Sequence, residues 1–480
     1  MKLSDYIIQF LMGKGIDQCF LLPGGGAMHL VNSVGQSELP YICFQHEQGA
    51  AIAAEAFGQH QNRPALLLVT SGPGATNAIT GVTAGWIDST PMFIVSGQAK
   101  RSDLIGDTGV RQIGSQEVQI IDMVKPITKY AVEVMDPQKI RYHLERAWHE
   151  AVSGRPGPVW LSIPLDVQGA QIEEDMLEGY TVPTQEQVEY HSIIQQCVEL
   201  LQKSKKPLLL AGNGIKLAGG ENALYRLLEQ LPIPVQTTWK SIDLVGEDYP
   251  FYVGHPGIMG DRGANFILQE ADLLLSVGSR LDTSLTAFNE SNFAKSAKKI
   301  VVDIDPNELA RMKLDRAVSF AGDAKCFLEA LIEQVNHVQF PVDEWYKWLS
   351  YSKQLRKKYP VVTEEHRKKS GYVSAYYFIN QLCELLTPKD VVVPESSGGA
   401  GEITYQAFCL KYGQKMKNAA GLGSMGFGLP YAVGSCVANE RHRTILINGD
   451  GAFQLNIQEL ETAHRLKLPL KMFIWCNDGY

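Results

Sequence analysis

INGDGAFQLNIQELETAHRLKLPLKMFIWCNDG, residues 447–479, decides how the chain is to be read. An apolar run leads into Gly449-Asp450-Gly451, a helical pattern follows to about residue 465, and a second apolar run, 470–476, ends at Asn477-Asp478-Gly479. Asp450 and Asn477 stand 27 residues apart, from 450 to 477. That is the length of one strand–helix–strand crossover in a parallel sheet, so both oxygen-bearing side chains are expected at neighbouring strand ends. Mg²⁺ takes hard oxygen ligands and is often held by one or two side chains together with ligand phosphates. Glycines beside Asp450 would let backbone N–H groups approach a diphosphate at a helix start, where the dipole favours negative charge. Taken alone, Gly-Asp-Gly is more often a tight turn. The asparagine at the end of the next strand is what makes the segment a candidate magnesium–diphosphate site.

The segment resembles the signature of thiamine-diphosphate-dependent enzymes, which opens at Gly-Asp-Gly and closes at Asn. The resemblance implies thiamine diphosphate and Mg²⁺ as cofactors. Asp450 and Asn477 are then side-chain ligands of the metal and Gly479 offers it a backbone carbonyl, while Gly449, Gly451, Ala452 and Phe453 lie along the diphosphate.

That cofactor needs a carboxylate at N1′ of its aminopyrimidine, because protonation there lets the 4′-imino form take the proton from C2. CFQHEQGAAIAAEAFGQ, residues 43–59, offers one: a strand end at His46-Glu47 runs into an Ala/Gly-rich helix. Small residues allow close packing, and burial is expected to raise the Glu47 pKa so that it can share a proton. Glu47 could instead be a first-turn glutamate favoured by the helix dipole. The stretch is similar to the family's pyrimidine-binding domain, as are PGGGAMHL (23–30) and TSGPGATNAITGVTAGWIDSTPMFIVSGQ (70–98). On that match Gly24, Gly25, Pro73 and Asn77 are implied to bind the cofactor. In GLGSMGFGLPYAVG (421–434), Met425 stands where the family has a bulky apolar residue that keeps the cofactor bent. A methionine among glycines would also serve as core filler.

DLLLSVGSRLDTSLT (272–286), KIVVDIDPNEL (299–309), GIMG (257–260) and GVRQIGSQEVQIIDMVKPITKYA (109–131) resemble the acetolactate synthase large subunit, over essentially the entire chain. The resemblance implies decarboxylation of a 2-keto acid and carboligation to a second carbonyl compound, as in branched-chain amino acid biosynthesis, with Gln116 near the reacting carbons. The 109–131 region lacks the paired histidines of pyruvate-decarboxylase-like enzymes, which favours carboligation over aldehyde release. Three positions depart from the pattern. Ser115 replaces a phenylalanine, Leu281-Asp282-Thr283-Ser284 replaces a segment with a substrate-binding arginine, and Ser396-Ser397-Gly398-Gly399 replaces Gly-Gln-His. Ser397 and Gly398 then contribute hydroxyl and backbone donors to the cofactor. A decarboxylase or lyase with a different substrate is the alternative. A catalytically silent relative would have lost Glu47, Asp450 or Asn477, and all three are present. Acetolactate synthases carry FAD in the central domain, and the altered 281–284 segment leaves FAD open here. The resemblance further implies a homodimer or tetramer, the pyrimidine-binding domain of one chain facing the diphosphate-binding domain of another, and it admits a small regulatory subunit. The Ala/Gly-rich segments 49–58 and 421–434 are suited to packing across such an interface.

A chain of 480 residues exceeds one hydrophobic core. Short apolar runs at 18–22, 41–44, 65–70 and 92–96 alternate with helical patterns, and the theme restarts at 207–211 and again at 390–394. The fold class expected is α/β: three doubly wound parallel-sheet domains, pyrimidine-binding (1–170), central (186–335) and diphosphate-binding (370–480). The last is read as C-terminally incomplete, since family members continue past this point. A net charge of −8 with mixed signs gives no basic stripe for nucleic acid. Apolar runs are too short for a membrane span, and the N-terminus, with Ser4 as an expected helix N-cap, lacks a signal-peptide pattern. A cytoplasmic protein acting on small molecules is the expectation. The eight cysteines form no C-x-x-C pairs, so neither a zinc site nor a disulfide framework is expected, and most should be core residues. The basic stretch 353–369 reads as a solvated helix and linker.

Overall fold

The computed structural model describes residues 1–184, 187–368 and 370–477. Leu66–Val69, Pro207–Ala211 and Leu273–Val277 are buried along their whole length. A parallel strand covered by helices on both faces calls for such near-continuous apolar runs. The first sheet has six parallel strands in the order Tyr41–Cys43, Cys19–Leu21, Leu66–Val69, Met92–Gln98, Pro158–Pro164, Tyr130–Glu133. The central sheet orders Ala317–Ala321, Lys298–Asp303, Leu273–Val277, Pro207–Ala211, Val235–Thr237, again all parallel. In the third, Val391–Pro394 pairs with Thr444–Gly449, which pairs with Leu470–Trp475.

Among the strands not expected from the sequence are Tyr130–Glu133, Pro158–Pro164 and Ala317–Ala321. Two of them are edge strands with half-buried or exposed residues. Pro158–Pro164 is fully buried but begins and ends in proline, which masks it in a reading that treats proline as a breaker.

The described residues gather into two compact units. One comprises Met1–Thr184, Val391–Gly398 and the chain from Lys417 onward, and the other runs to Asp390 and includes Gly399–Met416. In the first unit, helix Glu47–Gln61 packs on helix Gly428–Ala438. A methyl group added to Gly434 would lie 2.3 Å from the Ala53 carbonyl oxygen, so glycine is what lets the two backbones approach. The two Ala/Gly-rich segments assigned from sequence to an interface between chains meet within one chain at Gly434 and Ala53.

In the second unit the central sheet divides two apolar clusters. Leu209, Val235, Leu275 and Ile300 face one, and Leu208, Leu210, Leu274 and Val301 face the other. Helix Val342–Lys358 buries Trp345 and Trp348, whose indole N–H groups donate to the Ser204 and Pro207 carbonyls at 2.9 and 3.0 Å. The stretch expected to be solvated, 353–369, starts inside this helix, where Leu355 is buried, so it is partly packed. Arg356 donates to both oxygens of Glu247 at 2.7 and 3.2 Å and lies 3.5 Å from Asp261. Residue 369 lies outside the described residues. Ser4 is buried inside helix Leu3–Gly13, and Lys2 takes the N-cap place. Cys19, Cys197, Cys383 and Cys436 are buried, whereas Cys326, Cys409 and Cys476 are exposed, so the core accounts for fewer cysteines than expected. Among the described residues no helix is long and apolar enough to cross a membrane.

Candidate active site

The first sheet reverses its order between Cys19–Leu21 and Leu66–Val69: the chain goes out to the Tyr41–Cys43 edge and returns on the other side. Ligands of open parallel sheets bind outside the carboxyl ends of the strands at such a switch. Gly24 and Gly25 follow one of these ends and Thr70 to Pro73 follow the other. The Gly26 N–H donates to Thr70 Oγ1 at 3.0 Å, and a methyl on Gly24 would fall 2.5 Å from Thr70 Cβ. Gly25 has open space around it.

Glu47 opens its helix a few residues past the Tyr41–Cys43 strand, behind His46, whose Nδ1 accepts the Gln48 N–H at 3.0 Å. The Glu47 side chain is buried, with 8% of the residue exposed. Its Oε2 accepts from Asn77 Nδ2 at 3.0 Å. Asn77 lies one turn into helix Pro73–Ile87, which Pro73 starts. Gln116 adopts a φ of +61°, and its carbonyl would be 2.6 Å from a methyl on Gly72. Its Oε1 is 3.5 Å from Ser71 Oγ. The next residue, Glu117, is buried and accepts backbone N–H groups of Ile105, Ile113 and Gly114 at 2.5, 3.0 and 3.2 Å. These bonds fix the loop that carries Gln116. The structure thus brings Gly24, Glu47, Pro73, Asn77 and Gln116 together around Thr70 to Gly74. Thr70 went unnoticed in the sequence because a strand-ending threonine has no chemical signature of its own.

The second group of expected residues lies at the carboxyl edge of the third sheet. Gly449 stands opposite Trp475 in parallel register, so Asp450 and Asn477 leave the same end of adjacent strands. The Asp450 carboxylate accepts the Gly451 N–H at 3.0 Å. Space is open around Gly449 and around Gly398, which has a φ of +72°. Half-buried Ser397 and exposed Gly398 follow the Val391–Pro394 strand. Half-buried Met425 sits between Gly423 and Gly426, at φ +68° and +83°. Ala452 is buried, and the Phe453 side chain packs on the core, which leaves its backbone for a ligand. Gly479 lies outside the described residues. Among the described residues no three His, Cys, Asp or Glu side chains cluster closely enough to hold a metal. A cation here would rest on Asp450, Asn477 and ligand oxygens, a hard donor set that suits Mg²⁺.

The helix expected to run from Asp450 to about residue 465 is broken into Asp450–Gln454 and Glu459–Arg465. In the break, buried Asn456 donates to the Gly426 carbonyl at 2.7 Å. A side-chain bond that reaches another segment outweighs continuation of the helix. Glu395 was also missed. It is 1% exposed and accepts the N–H groups of Ser396 and Gly428 at 2.8 and 3.0 Å, tying the end of Val391–Pro394 to the helix after Met425. Burial pushes its carboxyl pKa up, and these bonds oppose that shift.

Three family models match the chain in the same order as its sheets. They are the thiamine pyrophosphate enzyme N-terminal TPP binding domain over residues 1–123, the central domain over 194–331, and the C-terminal TPP binding domain over 398–480. The acetolactate synthase isozyme 2 large subunit of Escherichia coli K12 is 32% identical over 481 residues, covering 100% of this chain and 83% of that protein. A probable acetolactate synthase large subunit of Methanocaldococcus jannaschii is 31% identical, covering 99% of this chain and 80% of its own length. The chloroplastic acetolactate synthase 2 of Zea mays is 33% identical, covering 99% and 74%.

Proposed function

Since the chain belongs to the thiamine pyrophosphate enzymes and is of the acetolactate synthase type, we propose that it decarboxylates a 2-keto acid and joins the retained fragment to a second carbonyl compound. The observation that carries the reading is the buried Glu47 carboxylate, held by Asn77 at the switch of the first sheet. Thiamine diphosphate, when bound, supplies a thiazolium that stabilises the carbanion left by CO₂. Glu47 holds the proton at N1′ of the aminopyrimidine, and Asn77 keeps the Glu47 carboxylate in place. Met425 supports the bend of the cofactor. Asp450 and Asn477 hold Mg²⁺, which neutralises the diphosphate, while the backbone at Gly449 to Phe453 and at Ser397 and Gly398 lines it. Gln116 stands near the reacting carbons, on a loop fixed by Glu117.

The three sheets are proposed as the pyrimidine-binding, central and diphosphate-binding domains. The active assembly is a cytoplasmic homodimer or tetramer, with Glu47 and Asp450 of one site drawn from different chains and room for a small regulatory subunit. The central domain is the place for FAD if the protein carries it, and a flavin band in the spectrum of the purified protein is the test. The reaction itself is tested by supplying pyruvate as sole substrate with thiamine diphosphate and Mg²⁺. Acetolactate and CO₂ are expected. Acetaldehyde without condensation product would favour a decarboxylase, and turnover of some other keto acid alone would move the enzyme to a different substrate.

A further inference from the structure

Asn456-x-x-Glu459 reads in the sequence like a capping box, an N-cap residue and a glutamate serving their own helix. Their side chains instead reach two other segments. Glu459 is fully buried, and its carboxylate accepts the N–H of Gln45 at 3.2 and 3.4 Å and of His46 at 3.1 Å, besides the Thr462 hydroxyl at 2.7 Å. It lies so close to the start of the Glu47 helix that a methyl on Gly49 would fall 2.6 Å from Glu459 Oε1. Asn456, 2% exposed, donates to the Gly426 carbonyl at 2.7 Å and to Gln48 Oε1 at 3.2 Å. Its own Oδ1 accepts from Gln458 Nε2 at 3.1 Å.

These bonds fall on Gln45, His46 and Gln48, the residues on either side of Glu47, and on Gly426, the residue after Met425. Burial pushes the Glu459 carboxyl pKa up, and the bonds it accepts from Thr462, Gln45 and His46 oppose that shift, so its acceptor capacity is used rather than left unpaired. The segment in question begins six residues after Asp450 of the same chain, so Glu47, which serves one site of the proposed assembly, and Met425, which serves another, are tied to one element.

We propose that Asn456 and Glu459 are positioning residues, which fix the backbone on either side of Glu47 and just after Met425. The proposal rests on the reading of Glu47 as the N1′ partner. Neither residue touches substrate. Each acts through the backbone of its neighbours, so its removal misplaces Glu47 without weakening the grip of Asp450 and the glycines on the cofactor.

The test follows exchange of the C2 proton in bound thiamine diphosphate, alongside cofactor affinity by calorimetry and thermal stability. Glu459→Ala is expected to slow exchange by about 10- to 100-fold, the effect of a misplacement near 1 Å, with affinity close to the parent's. Glu459→Gln, which keeps an acceptor oxygen for one N–H, should recover part of the rate, and Asn456→Ala should act in the same direction as Glu459→Ala. Parent-like exchange in both alanine variants overturns the proposal. So does a fall in exchange that only tracks lost affinity or lost stability, and so does a Glu459→Gln variant no better than Glu459→Ala. Glu47→Gln, measured in parallel, separates the two levels. If it leaves exchange intact, the reading of Glu47 fails. If it abolishes exchange while the Glu459 and Asn456 variants do not, the positioning role alone fails.

Discussion

At the scale of single residues, Glu47 offers the sharpest test. Glutamine at this position keeps the side-chain length and an oxygen that can accept from Asn77, so the fold and cofactor binding should survive. It cannot exchange a proton with N1′, and loss of a positioned acid–base group costs about 10²- to 10⁴-fold. Glu47→Gln should therefore lower C2-proton exchange and turnover by that factor at nearly unchanged thiamine diphosphate affinity. Asp450→Ala should do the opposite: calorimetry is expected to show cofactor affinity greatly reduced and no longer improved by Mg²⁺, because the cation has lost its one charged side-chain ligand. Equal affinity with and without Mg²⁺ in the parent would refute the metal role. Both residues stood out as candidates in the sequence because the chemistry proposed for them resides in their own side chains. Glu459, Asn456 and Glu395 were not, because their partners are backbone groups in other segments, and nothing local in the sequence specifies those.

At the scale of elements, glycine makes opposite contributions according to what it faces. Gly434 in helix Gly428–Ala438 lies against the Ala53 backbone, where an added methyl would be 2.3 to 2.8 Å from backbone atoms that cannot swing aside. Gly35, in helix Met28–Gln36, has nothing within 4 Å of the same position. Chemical denaturation should show Gly434→Ala destabilised by about 1–3 kcal/mol through overpacking. Gly35→Ala should be stabilised by about 0.5–1 kcal/mol, since alanine is the better helix former. If Gly434→Ala stabilises as Gly35→Ala does, the two helices are not in the close contact described. Most interior strands were readable because burial on both faces leaves apolar runs, as in Leu66–Val69 and Pro207–Ala211. The edge strand Ala317–Ala321 is about as apolar, and only the structure shows that its residues are half-buried or exposed.

At the scale of the whole molecule, the proposed assembly predicts complementation. Chains carrying Glu47→Gln and chains carrying Asp450→Ala, each inactive alone, should regain part of the activity when mixed under conditions that allow subunit exchange, because some mixed sites receive both intact residues. Exchange demonstrated by mass spectrometry without recovered activity would place each site within one chain. The packing of helix Glu47–Gln61 on helix Gly428–Ala438 inside one chain shows why composition could not settle this: small residues permit close approach but do not name the partner. What the sequence by itself determined is the α/β class with most of its interior strands, and the choice of Glu47, Asp450 and Asn477 as candidates, because apolar runs and ligand-binding groups are local properties of the chain. What the tertiary structure alone decided is the strand order that sets Gly24 beside Thr70, the break at Asn456, and the grip of Glu459 on the residues around Glu47. Those depend on contacts between segments up to 414 residues apart, which arise from packing and carry no mark in either segment taken singly.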